Sequence, residues 1–211
     1  MSSSTTPASE LQEQTAGDLY DSDVYAWSVQ QAATLRRRDF AAVDWDNVIE
    51  EIESVGRSEE HKWTSHCART IEHLLSIEHY QQATKKTLQG WAREVRHFRG
   101  KMSDAIIETP SLKNKYQTMF ANAWRTGRRE ALERLAEYDQ QHNSSLDEDS
   151  AVRRRDYSMP HECPYRLEDV TAFRHKHDAE PRRDVWPPQV AQVLNQRLFT
   201  NYPTQDQEWS R

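Results

Sequence analysis

The sequence predicts an all-α protein, an antiparallel bundle of about four main helices with a partly ordered C-terminal extension. Three observations carry that expectation. Apolar residues recur at spacings of three and four in four separate stretches. Only five Gly and eight Pro punctuate 211 residues, too few for the frequent turns of a β-sandwich. Charged residues make up 29% of the chain, enough to coat the outer faces of helices.

Residues 1–17 are rich in Ser, Thr, Glu and Gln and offer little apolar surface to offset the entropy of ordering, so a disordered lead is expected. A first helix starts at Asp21 or Ser22 as N-cap and uses Val24, Tyr25, Trp27, Ala32 and Leu35. It runs to about Arg38, where Arg36, Arg37 and Arg38 suit the negative end of the helix dipole. Asp44 caps a second, long helix with Asp46 in its first turn. At about 100° per residue, Val48, Ile52, Val55, Trp63, Thr70, Leu74 and Ile77 share its apolar side as far as Tyr80. Gly56 interrupts the pattern and marks either a kink or the close approach of a neighbouring helix.

A third helix, about 88–108, carries Trp91, Val95, Phe98, Met102 and Ile106 and ends at Thr109-Pro110. Pro110 suits the N1 position of a fourth, whose stripe of Leu112, Tyr116, Met119, Phe120, Ala123, Trp124, Ala131, Leu135 and Tyr138 reaches Gln140. Short connections between these helices imply antiparallel neighbours. Residues 143–156, with acids at 147–149 and Arg at 153–155, read as a solvated linker. Residues 159–165, Met-Pro-His-Glu-Cys-Pro-Tyr, are apolar and rigid enough to pack back on the bundle end. A polar stretch follows, and Val190, Val193, Leu194 and Leu198 then predict a short terminal helix. The domain reading is therefore a helical domain over 18–170, with a polar insertion and a short helix and tail over 171–211.

Composition narrows the function classes. A net charge of −6 lacks the basic excess of a dedicated nucleic-acid binder. Cys67 and Cys163, far apart in sequence, supply neither a disulfide framework nor a cysteine zinc site, which fits a reducing cytoplasm. The start has no basic segment followed by an apolar run, and no stretch approaches the roughly 18 apolar residues of a membrane span, so no membrane partner is expected.

Leu19-Tyr20, Asp23, Tyr25-Ala-Trp27, the string Ile49-Glu-Glu-Ile-Glu-Ser-Val-Gly-Arg-Ser-Glu59 and His73-Leu-Leu75 resemble the bacterial Domain of Unknown Function 29 family. Trp91, Pro110-Ser-Leu112, and Cys163-Pro-Tyr165 with Leu167-Glu168 extend the likeness over about 18–170. The resemblance implies a small helical protein and supplies no catalytic residues. Asp184-Val-Trp186-Pro187 arrives later than in chains of that pattern, implying an insertion around 171–183 and an added tail.

Glu59, His66 and His73 fall on the apolar side of the second helix at intervals of seven, and polar groups facing a core need partners. They are candidate metal ligands or members of a polar network. Seven residues advance a helix by about 10 Å, so a common ion would need ligands from other helices. A single Glu-x-x-His, Glu94 to His97, is present, and its His97 points away from the apolar stripe. Glu50 and Glu53, with Arg57 four residues beyond Glu53, form an exposed charged face better suited to docking than to paired-carboxylate catalysis.

Between 44 and 60 there are seven acids and one Arg, whereas between 85 and 115 eight Lys or Arg meet three acids. Lys85, Lys86, Arg93, Arg96 and Arg99 are expected in solvent, with Trp91 and Phe98 in the core. His175-Lys-His177-Asp178 reads as a solvated polar tract. Cys67 is expected as a small buried apolar residue.

No phosphate loop, nucleophile elbow or redox cysteine pair occurs, and no cofactor is expected. The leading expectation is an accessory or protein-interaction module with a protein partner or self-association. The alternative is a metal-dependent hydrolase or nuclease built on Glu59, His66 and His73. A weaker one is nucleic-acid binding through the basic third helix.

Overall fold

A computed structural model describes residues 16–172 and 184–204. Its contacts divide at Arg57 and Ser58 into two compact units. Among the described residues every regular element is helical, as expected, and the only strand-like pairing is an isolated bridge between Trp186 and Thr204.

The first unit holds α1 (Ala16–Ser22), α2 (Val24–Arg36) and the start of α3 (Trp45–His79). The cap of α2 is Asp23 rather than Asp21 or Ser22: its carboxylate accepts from the Ala26 N–H at 2.9 Å, while 16–22 already form a separate turn of helix. Residues 16 and 17 thus leave the expected lead; its other residues lie outside those described. Arg38, at φ 59°, ends the segment in the left-handed region. Buried Trp27 packs edge-on against Tyr20, with centroids 4.8 Å apart, and donates from Nε1 to Asp44 at 3.1 Å. Gln31 accepts the Asp44 backbone N–H. Hydrogen bonds from Asn47 and Trp27 hold the Asp44 carboxyl below its usual range.

Within this unit the spacing argument misplaces the apolar residues of α3. Ile52 and Val55, expected in the core, are 68% and 66% exposed, and Ile49 and Trp45 are exposed beside them. α1 meets a different flank, where the Tyr20 hydroxyl donates to Glu51 at 2.7 Å. Helical periodicity defines a stripe, but burial requires side chains to cover it, and among the described residues none do. Gly56 causes no break in α3, and a Cβ added there would meet nothing within 4 Å, so neither the kink nor the close approach is found.

The second unit is built on residues 58–79 of α3, on α4 (Lys85–Glu108) and on α5 (Tyr116–His142). Ring contacts fix their directions. Tyr80 after α3 meets Trp91 early in α4, and Trp91 meets Tyr138 late in α5, so α4 runs antiparallel to both. Trp63 and Tyr116, near one end of this unit, meet as tilted rings with centroids 5.1 Å apart, so α3 and α5 run parallel. Trp63, Ile71, Leu74, Leu75, Ile77, Leu88, Met102, Ile106 and Leu135 are fully buried, each worth about 1.5–3 kcal/mol. At Gly127 α5 lies close against α3: a Cβ there would lie 2.4 Å from the Ala68 carbonyl oxygen. Pro110 opens a 3-10 turn, Pro110–Lys115, ahead of α5 rather than α5 itself.

The expected linker over 143–156 is largely helix α6 (Glu148–Ser158), packed on α5. Asp147 caps it by accepting from the Ser150 N–H at 2.9 Å, and Glu148 and Asp149 oppose the dipole in the first turn. The charge pattern that suggested solvation is a capping pattern. Met159 and Tyr165 pack back into the core as expected. α7 (Leu167–Thr171) and α8 (Pro188–Leu198) complete the fold, the latter at the predicted place.

Arg99 contradicts its expected solvent position. It is 0% exposed, and its guanidinium donates to the carbonyls of Val170, Asp169 and Val185 at 3.0, 2.7 and 2.7 Å, with the Trp186 ring 5.2 Å away. Burial lowers its pKa to about 9. Three backbone acceptors and an aromatic face replace the water a guanidinium would otherwise keep. The polar tract with His175 and His177 lies outside the described residues.

Candidate functional site

The stripe of Glu59, His66 and His73 lies along α3 as the spacing required, but an aromatic ring separates its imidazoles. Phe98 of α4 stacks with His66 at 5.8 Å and with His73 at 6.0 Å between centroids. Glu59 accepts from Lys62 at 2.6 Å, an ordinary surface pair. His66 is half-buried, and its pKa is lowered by burial and then by Lys101 and His97. His73 is 6% exposed, its Nδ1 has no hydrogen-bond partner, and burial with Arg134 and Arg69 nearby lowers its pKa to about 3. A neutral, ring-stacked imidazole fills core space as an aromatic would. Among the described residues no group of three or more His, Cys, Asp or Glu is placed to hold a metal ion.

The polar partners that the core needed sit one position along. Glu72, fully buried, lies 2.9 Å from Arg69 Nη1 and 2.7 Å from Arg134 Nη2, and Glu130 stands 3.6 Å from Arg69. Burial pushes the Glu72 carboxyl up, and the two guanidiniums oppose it. Breaking such a pair strands a buried charge. Angular reckoning on one helix missed Glu72 because its partner Arg134 comes from α5, 62 residues away in sequence.

The charged face at the start of α3 is organised as expected. Arg57 bridges Glu50 at 2.5 Å and Glu53 at 3.3 Å, and all three are exposed. Beside them run exposed Trp45, Ile49, Ile52 and Val55. An apolar stripe flanked by carboxylates is the arrangement that spacing alone could not reveal, since it needed the burial outcome.

On α4 the basic face is partly committed inside the chain. Arg96 pairs with Asp184 at 2.5 Å and lies 5.5 Å from the Trp186 ring, Arg99 is buried, and Lys85 sits 4.5 Å from the Phe199 ring. Trp91 is buried, as expected, whereas Phe98, expected in the core, is half-buried and outside the core cluster, its ring taken up by stacking on His66 and His73. Cys67 is buried and free, as expected, and burial, with Cys163 nearby, pushes its thiol well above the usual value.

A family model, Domain of unknown function DUF29, matches residues 19–174. The chain belongs to this family. No curated protein and no solved structure matches. The DUF29 span includes α2 to α7, so the segment 184–204 that Arg96 and Arg99 hold lies beyond it. None of the described helices is long and apolar enough to cross a membrane.

Proposed function

We propose that this DUF29 chain is a protein-interaction module whose docking surface is the exposed side of residues 45–57 of α3, and that its partner presents a basic amphipathic helix. The observation that carries this reading is the open stripe of Trp45, Ile49, Ile52 and Val55. Among the described residues, eight of the eleven large exposed hydrophobics lie between Val24 and Val55, a concentration that ordinary scattered surface apolar residues do not produce. Spacings of three and four match the anchors of a helix laid along another helix.

Charge selects the partner. Residues 16–57 carry nine carboxylates against four arginines, and Asp46, Glu50 and Glu53 flank the stripe. Lys or Arg at the edges of an incoming helix would meet them and set its orientation. Gly56 leaves room for close backbone approach, because among the described residues nothing lies within 4 Å of where its Cβ would stand.

The test is crosslinking from native lysate with the parent chain, Ile52→Asp and Glu50→Lys/Glu53→Lys. The expected result is a crosslinked partner segment with apolar residues at helical spacing between Lys and Arg, lost in both variants. Ile52 is exposed, so its substitution should change folding stability by no more than about 0.5 kcal/mol. Retention of the partner by Ile52→Asp overturns the reading. A dimer of the parent chain that Ile52→Asp dissociates replaces the basic partner with a second copy.

A further inference from the structure

At the end of the second unit, where α3 gives way to α4, a cleft of about 400 Å³ is lined by His79, Gln82, Asp139, His142, Arg154 and Arg155 among others. Its walls come from three elements, the turn after α3, the end of α5, and α6, the segment that the sequence presented as a linker. From this geometry we infer that the cleft binds the phosphate group of a small phosphomonoester, such as a sugar phosphate. The site is separate from the docking surface and does not depend on it.

The floor of the cleft is electrically closed. Both oxygens of Asp139 accept from Arg155, at 2.6 Å from Nε and 2.5 Å from Nη2, and the third direction of that guanidinium donates to the His79 carbonyl at 3.1 Å. The carboxylate in the lining is thereby neutralised, and an anion above it meets no net repulsion. Arg154, the next residue, is exposed and, among the described residues, has no carboxylate at ion-pair distance. It remains as an uncommitted guanidinium fork, the donor geometry that suits phosphate oxygens.

Two imidazoles also line the cleft. His79 Nε2 is buried without a hydrogen-bond partner, and Glu78 Oε1 stands too far for one, at 3.7 Å. The other Glu78 oxygen accepts from the Tyr165 hydroxyl at 2.9 Å. His142 Nδ1 lies 2.8 Å from the Tyr138 carbonyl and 3.3 Å from the Tyr80 hydroxyl, and the carbonyl contact requires the proton on Nδ1. Gln82 and Asn143 add amide donors. The single carboxylate in the lining, Asp139, is already paired with Arg155, so Arg154 and the amides face an anion without a competing acid. The volume falls within the range of small-molecule pockets and exceeds what a bare phosphate fills, so the ligand carries a further polar body that the side-chain amides and Ser158 can meet.

The experiment is titration of the full chain with ribose 5-phosphate, inorganic phosphate and ribose, read by calorimetry and by the histidine ring resonances in NMR. Saturable binding of ribose 5-phosphate, tighter than that of inorganic phosphate, with ribose silent, is expected. The rings of His79 and His142 should shift, and those of His66 and His73 should stay. Arg154→Gln should weaken binding about tenfold or more, whereas Arg153→Gln, the same charge change at an exposed neighbour outside the lining, should leave it within about twofold. No saturation by either anion at about 10 mM, or equal weakening by both arginine variants, overturns the site. Equal affinity for the ester and for free phosphate overturns the phosphomonoester assignment.

Discussion

Two stretches of one helix carry the same kind of pattern and meet opposite fates. In α3, residues 58–79 bury Trp63, Cys67, Ile71, Leu74 and Ile77, whereas residues 45–57 leave Trp45, Ile49, Ile52 and Val55 in solvent. Spacing, helix propensity and continuity are alike in the two. What differs is cover. Rings and aliphatics from α4 and α5 close over the later stretch, and an Arg–Glu network seals its flank through Glu72. Periodicity therefore states which side of a helix is apolar and is silent on whether another surface exists to receive it.

The comparison breaks most severely where the enclosed region depends on a buried cation. Replacing Arg99 by Ala leaves the carbonyls of Asp169, Val170 and Val185 without this donor and opens a cavity beside Trp186. The expected loss is about 3–5 kcal/mol in urea denaturation, with Met restoring only the packing part. A loss below about 1 kcal/mol would show that the segment beyond the DUF29 match is held by its apolar residues alone.

Two glycines give a matched pair. Gly127→Ala forces a Cβ against the backbone oxygen of Ala68, so it should destabilise by about 1–3 kcal/mol despite the better helix former. Gly56→Ala meets open space and should stabilise the free chain by about 0.5–1 kcal/mol while weakening partner docking. Opposite signs from one substitution measure the difference between covered and uncovered helix directly.

The acid limb of stability reports on the stacked core between these effects. The folded chain keeps His73 neutral down to about pH 3, while the unfolded chain takes up that proton near 6.5. Between those values the unfolded state binds more protons, so stability present above 6.5 falls as the pH drops, by up to about 1.4 kcal/mol per unit from this group. His73→Phe retains a ring against Phe98 and should flatten the fall. An unchanged slope would mean that other groups set the acid limb.

Much of the architecture was legible in the residues. The long helices, their antiparallel order, the packed segment around Tyr165 and the terminal helix follow from runs long enough for the period of 3.6 to stand out. The short elements were harder. From sequence α6 reads as a linker because its charges satisfy a cap and a distant acid, Asp139, rather than an apolar stripe. Of the charged face, the Glu53–Arg57 pair is legible as a local i,i+4 arrangement, and Glu50, seven residues before Arg57, joins it only in the structure. The cleft of His79, His142 and Arg154 was not legible, because no single stretch of chain contains it.

By itself the sequence determined the helical class, the DUF29 membership and the apolar side of each long helix, because helix periodicity and capping are encoded within a few residues of one another. Only the tertiary structure decided that Ile52 faces water while Leu74 does not, that Arg99 is interior, and that Phe98 separates two histidines. Burial and charge pairing are properties of what lies opposite, and the groups opposite come from elements far along the chain.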